Sequence, residues 1–217
     1  MGSYYAAKTM LDRDGNRILW GWIPEARPDP DLIAAGWAGA MSLPRGMSLN
    51  DENELQTEPL AAVDVLRGPR AGFRDLAKSS DVHQSIDEIQ IRDLAAEINL
   101  QLQPKSDYFT LRLQSAGGDF ALISCENRSG ERELRVNEVS APLAGNVGSP
   151  VQLHMFLDGS VLEIFANGTT ALTARIYRVP TGPIRLKFDG GLEVKSLDVW
   201  QMQPISKDRL TGSLLCS

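Results

Sequence analysis

Residues Val151–Val179 read VQLHMFLDGSVLEIFANGTTALTARIYRV, three strands with their turns written between them. Asp158-Gly159 separates two alternating apolar runs, and this dipeptide suits a two-residue type I′ turn, where both central residues take positive φ. With the turn placed there, Leu157 faces Ser160, Met155 faces Leu162 and Leu153 faces Ile164 on one buried face. His154 then lies opposite Glu163 on the other face, which also carries Phe156 and Phe165, because side chains alternate along a strand. Asn167-Gly168 marks a second turn, after which Leu172, Ala174 and Ile176 keep the period of two. These strands carry a fold and no evident chemistry.

Outward from this block the pattern stays β-rich. Ile86–Ile91, Ala96–Leu102, Tyr108–Leu113, Phe120–Cys125 and Glu133–Val139 precede it, and Ile184–Phe188 and Leu197–Met202 follow. Turn residues separate these runs at sandwich-like intervals. Leu100, Leu102, Leu111 and Leu113 alternate with polar residues, as in strands with one wet face. Nearer the start, Tyr4–Leu11, Arg17–Ile23, Trp37–Leu43 and Gly46–Leu49 read as short strands, and the proline-rich, acidic Pro24–Ala34 as an exposed loop. Four strands in about fifty residues is the size of one propeller blade. Between the two regions, LQTEPLAAVDVLR at 55–67 changes period, with Pro59 suited to a first helical turn and Leu60, Val63 and Leu66 at helical spacing. The expected division is a blade over 1–56, a linker with a short helix over 57–72, and a sandwich over 73–217.

The 217 residues carry a net charge of −6, which argues against nucleic acid or an anionic membrane as partner. No apolar run is long enough to span a bilayer, and MGSYYAAKTM does not read as a secretory leader. Cys125 sits in an apolar run as a small buried hydrophobe, and Cys216 in a polar tail; two cysteines make no disulfide framework. His83 and His154 are far apart without neighbouring cysteines, so no metal or other cofactor is expected. Asn127-Arg128-Ser129 and Asn167-Gly168-Thr169 are glycosylation sequons of the kind turn residues also produce.

Three blocks together resemble family 32 of the glycoside hydrolases, the invertases, levanases and inulinases. YYAAKTM…GNRILWGWIPE (Tyr4–Glu25) is similar to the strand pair opening the last blade of that family's five-bladed propeller, and AGWAGAMSLPR (Ala35–Arg45) to the rest of it. The Val151–Val179 block followed by SLDVWQM (Ser196–Met202) is similar to the closing sandwich. The resemblance implies an all-β architecture: the final blade of a propeller followed by a two-sheet antiparallel sandwich. It also implies cleavage of β-fructofuranosidic bonds in sucrose or fructans by retaining double displacement, which needs two carboxylates about 5–5.5 Å apart. The family takes them from motifs like WxNDPNG and EC on its early blades, which this sequence lacks. The expectation is therefore the C-terminal portion of a larger enzyme, with no catalytic residue here and no turnover by the chain alone.

For substrate contact the resemblance points to Trp22, at the place of an aromatic pocket wall, then to Tyr4, Tyr5 and Trp37. Trp20 and Trp22 share a face, so one should enter a core. A lone blade leaves Ile18, Trp20, Trp22, Trp37 and Met41 seeking cover, so the remaining blades, or self-association, are the expected partners beside the sugar. An alternative from the residues alone is a free-standing carbohydrate-binding or interaction sandwich displaying Phe156 and Phe165.

Overall fold

The computed structural model describes residues 2–74, 79–128, 130–146 and 148–206; Cys216 and Ser129 lie outside them. Two β systems meet along a seam. The first is a five-stranded sheet in which β1 (Tyr5–Leu11), β2 (Arg17–Ile23), β4 (Arg45–Leu49) and β5 (Leu55–Pro59) are consecutive neighbours and the two-residue β3 (Ala40–Met41) also pairs with β2. Asp12 ties the β1–β2 turn by accepting from the backbone N–H of Asp14 and Asn16, an Asx arrangement.

Pro24–Ala34, expected to be loop, contains a helix, α1 (Asp29–Ala35). Its proline stands in the first turn, where no N–H is needed, Asp29 and Asp31 favour the positive end, and Gly36 closes it at φ 71°. The 55–67 segment differs as well. Leu55–Pro59 is strand β5, paired with β4, and only Ala61–Leu66 turns, as a 3-10 helix. Of Trp37–Leu43, only Ala40–Met41 is strand.

The second system is a sandwich built on two long strands. β7 (Ala95–Ser115) and β14 (Arg185–Met202) pair along most of their length and run through both layers. Their far ends join β8 (Gly118–Arg128), β9 (Glu131–Val136) and β10 (Val139–Pro142) in one layer. Their near ends join β6 (Arg67–Arg74), β11 (Val151–Asp158), β12 (Val161–Ala166) and β13 (Thr170–Arg175) in the other. What the sequence presents as Ala96–Leu102 plus Tyr108–Leu113, and as Ile184–Phe188 plus Leu197–Met202, is thus one strand each time. Register shifts at Gly190/Leu192 and Val194/Ser196 let the pair bend from one layer to the next. Leu100, Leu102, Leu111, Leu113, Leu153, Met155, Leu162 and Ile164 fill the space between layers with at most 1% exposure.

The hairpin that opened the analysis keeps its faces but moves its turn. Asp158 pairs with Val161, so the turn residues are Gly159 and Ser160, and Leu157 meets Leu162, Met155 meets Ile164 and Leu153 meets Ala166. Gly159 alone takes positive φ, 55°, as a Gly-X type II′ turn requires. Moving the turn by one residue shifts each cross-strand partner by two, so buried residues stay buried. The opposite face changes partners: Glu163 stands across from Phe156, and His154 from Phe165. Ile86–Ile91 is not a strand; α2 (Ser79–Glu88) takes Ile86, and Ile91 makes a single bridge to Ile184. Val82 and Ile86, one helical turn apart, pack on the sandwich core.

Candidate functional site

Of the aromatic residues singled out in the sequence, the fold brings Tyr5 and Trp22 together. They are direct partners across β1–β2, and Trp22 also pairs with Met41 of β3. Directly opposed residues share a face, and the three are 70%, 39% and 57% exposed. The Trp22 indole packs against Gly39, where a Cβ would sit 2.0 Å from the ring. Only glycine leaves room for the indole there.

Tyr4 and Trp37 go elsewhere. The Tyr4 ring covers Gly21 and lies under the Arg45 guanidinium, 4.1 Å from its centroid. Trp37 sits under Arg27 at 4.3 Å. Trp20 and Ile18 are half-buried, so neither Trp20 nor Trp22 enters a closed core: β2 buries only Gly21 and Ile23.

The seam between sheet and sandwich holds the groups the sequence did not reveal. Arg45, on β4, forms a buried ion pair with Glu163 of β12 and donates to Thr173 Oγ1 at 2.8 Å. Leu43 N–H donates to the second Glu163 oxygen at 2.7 Å. Burial pushes the Glu163 carboxyl upward, and Arg45 opposes that push. Around the pair, Phe156, Phe165 and Val63 close an apolar patch with Leu43 and Leu66. Phe156 and Phe165 are 5% and 3% exposed; the face offered by the free-standing-module alternative is covered by the linker and the blade.

A second cluster caps one end of the seam. Glu25 accepts from Arg27 Nε at 2.9 Å and Nη2 at 2.7 Å, and from the Tyr177 hydroxyl at 2.5 Å. Arg27 beside it holds the Glu25 carboxyl well below the usual carboxylate range against the cost of burial, with help from Tyr177. Arg175 donates to the carbonyls of Pro24 and Ile23 at 3.2 and 3.4 Å, so β13 carries the end of β2. Backbone bonds finish the joint: Thr57 N–H to Gly168 O at 2.8 Å, and Ser3 N–H to Thr173 O at 2.9 Å. A third cluster anchors the linker, with Arg67 donating to Glu97 at 2.6 Å while His154 Nε2 lies 2.7 Å from the same carboxylate. Burial raises Glu97, but bonds from Arg67 and His154 outweigh it and leave its pKa lowered.

These carboxylates are spoken for. Glu97, Glu163 and Asp198, the buried ones among the described residues, are each held by arginine. A nucleophile or general acid needs an oxygen free to meet substrate, and none of the three has that freedom. Among the described residues no group of three His, Cys, Asp or Glu is placed to hold a metal, and no helix is long and apolar enough to cross a membrane. Of the two sequon asparagines, Asn167 has its side chain in hydrogen bonds. Asn167 accepts from Gln152 N–H at 2.9 Å and donates to Ala144 O at 3.0 Å, and Asn127 Oδ1 is buried.

A blade-sized sheet pinned to a β-sandwich fits a propeller-plus-sandwich architecture. Residues 75–201 match the profile described as "Glycosyl hydrolases family 32 C terminal", and residues 1–59 the "Glycosyl hydrolases family 32 N-terminal domain". The chain belongs to glycosyl hydrolase family 32. It is 28% identical to an acid beta-fructofuranosidase of Phaseolus vulgaris, an alignment covering 93% of this chain and 39% of the relative. It is 30% identical to a sucrose-6-phosphate hydrolase of Vibrio alginolyticus, covering 88% of this chain and 37% of the relative. The chain thus spans about two fifths of the length of these relatives. In fold it matches fructan 1-exohydrolase IIa from Cichorium intybus with a TM-score of 0.72 at 17% identity, over 93% of this chain and 48% of that one.

Proposed function

We propose that this chain forms the last blade and the C-terminal sandwich of a hydrolase of β-fructofuranosidic bonds, in sucrose or fructans. In this reading the blade expected over 1–56 runs on through β5 to Pro59, the linker expected over 57–72 narrows to the turn Ala61–Leu66, and the sandwich expected over 73–217 begins with β6. The retaining carboxylate pair comes from blades this sequence does not contain. The observation that carries it is the joint presence, in family order, of both matched regions on one seam, with the Tyr5–Trp22–Met41 row left open on the blade. A flat indole on an open sheet is a suitable platform for the apolar face of a sugar ring. Similar folds hold sucrose in a Bombyx mori relative and 1-kestose in the Cichorium intybus one. Trp22 is the principal substrate contact and Tyr5 its neighbour. Tyr4 and Trp37 act through the seam, by stacking on Arg45 and Arg27. The remaining blades are the partner for the open face, and self-association covers it when they are absent.

The test has two parts. The purified 217-residue chain hydrolyses neither sucrose nor inulin; turnover by it alone overturns the assignment of the carboxylates. Grafted in place of the matching portion of the Vibrio alginolyticus relative, the chain supports fructoside hydrolysis, and Trp22→Ala in that graft lowers kcat/KM by about tenfold, roughly one aromatic contact. A folded graft with no fructosidase activity refutes the reading.

A further inference from the structure

The Trp22 indole packs against Gly39, a buried residue of the loop between α1 and β3. That loop is not held by the blade alone. Gly39 N–H donates to Glu25 Oε2 at 3.3 Å, and Arg27 Nη2 donates both to that oxygen at 2.7 Å and to the Trp37 carbonyl at 3.0 Å. Glu25 is in turn gripped from the sandwich. The Tyr177 hydroxyl donates to Glu25 Oε1 at 2.5 Å and accepts from Ala26 N–H at 3.1 Å. Arg175, at the end of β13, donates from Nε to Pro24 O at 3.2 Å and from Nη1 to Ser160 Oγ at 2.7 Å. The path from sandwich to indole therefore runs from hydroxyl to carboxylate to Gly39 amide.

An exposed indole turns about two side-chain bonds, and it serves as a platform for a sugar ring only while one orientation is held. Gly39 gives it a seat, but that seat is loop backbone, which moves more than a strand does. Glu25 extends the frame of the sandwich to it. A carboxylate suits this task, because its two oxygens accept donors on opposite sides at once: Tyr177 and Arg27 Nε on one, Gly39 and Arg27 Nη2 on the other.

We propose that Tyr177 and Arg175 of the sandwich are positioning residues for the Trp22 platform, acting through Glu25 and Gly39. With Trp22 as the substrate contact, the reading on which this rests, the fructosyl ring meets the blade and the sandwich sets the pose.

Fluorine NMR of the intact chain labelled with fluorotryptophan tests the link. Each of the four tryptophans gives one resonance, and Trp22→Phe assigns the one at issue. Tyr177→Phe keeps the ring and removes only the hydroxyl. It should shift or broaden the Trp22 resonance and leave those of Trp20 and Trp200 in place. Ile123→Val, a core change on β8, should move none of them. Should Tyr177→Phe not fold, Glu25→Gln is read the same way. In the graft into the Vibrio alginolyticus relative, Tyr177→Phe should raise KM about threefold with little change in kcat, and have no effect once Trp22→Ala is present, as two groups acting through one contact require. A Trp22 resonance that stays put in a folded variant, or a KM loss that persists without the indole, overturns the inference. A Trp22→Ala graft with full kcat/KM overturns it through the substrate reading beneath, and the resonance, which needs no substrate, tells the two failures apart.

Discussion

The blade and the sandwich are both antiparallel β-sheet, yet they solve burial in opposite ways. Along β1 every residue is exposed, and β2 buries only Gly21 and Ile23. Along β11 and β12 nearly everything is buried, β12 on both faces. The sandwich layers cover each other, whereas the blade's most buried side chains, Ile23, Ser42, Arg45 and Thr57, are mostly polar. Arg45 reaches into the sandwich, and Thr57 bonds to it through its backbone. Hydrogen-bonded strands make a sheet, but a second apolar layer is needed to make a stable unit. The blade is held by polar pins and by one apolar patch at Phe156 and Phe165, and along β1 it is exposed.

The largest expected effect therefore lies at the seam. Arg45→Ala strands Glu163 as a buried, unpaired carboxylate, and removing one member of a buried pair costs about 3–5 kcal/mol. Chemical denaturation of this variant should show the blade releasing before the sandwich. The double change Arg45→Met with Glu163→Leu removes both charges and should recover most of the loss. If Arg45→Ala unfolds in one step at wild-type stability, the two regions are not joined there.

In the sandwich the equivalent change is apolar. Leu162 is fully buried between layers, and Leu162→Ala should cost about 2–5 kcal/mol, removing contacts and leaving a cavity. The loss should appear in the sandwich transition, read by urea unfolding. A cost under about 0.5 kcal/mol would mean the layers are not closed over β12.

These two sites mark what the sequence discloses. Leu162 was legible because period-two alternation reports local burial, and it survived a misplaced turn since face assignment depends only on parity. The fusion of separate apolar runs into β7 and β14 was not legible. Pro104 and the Gly190-Gly191 pair read as turns, and they are where long strands bend between layers. Arg45–Glu163 and Glu25–Tyr177 were hidden for another reason. Their partners stand 118 and 152 residues apart, and no local pattern ranks one arginine or glutamate above its neighbours. Trp22 is singled out by resemblance alone; its seat on Gly39 is visible only in three dimensions.

A smaller effect concerns pH at the capped end of the seam. The Glu25 pKa is lowered in the folded chain from an ordinary 4.5. Its stabilising contribution is therefore present above about pH 4.5 and is lost as pH falls toward the folded value. Glu25→Gln should lower stability at neutral pH and flatten the acid limb of the stability profile, measured by thermal unfolding from about pH 6 downward. An acid limb unchanged in that variant would show that Glu25 contributes nothing to holding the blade on Tyr177 and Arg27.

The smallest effect is the most discriminating. Met10 and Leu11 are 53% and 54% exposed on β1, so replacing either by serine removes little buried surface. Met10→Ser should alter stability by no more than about 0.5 kcal/mol, the range for surface positions. The same variant should sediment with less self-association than the parent, because apolar side chains on an open sheet gain about 1.5–3 kcal/mol each when a partner covers them. The two readouts separate two meanings of an apolar residue: in the sandwich it stabilises the chain's own fold, and on the blade it is reserved for contact. If Met10→Ser costs as much stability as Leu162→Ala, the blade packs its own core and the contrast between the regions fails. If stability and association are both unchanged, the face is neither core nor contact, and the partner for it must bind through the Trp22 row alone.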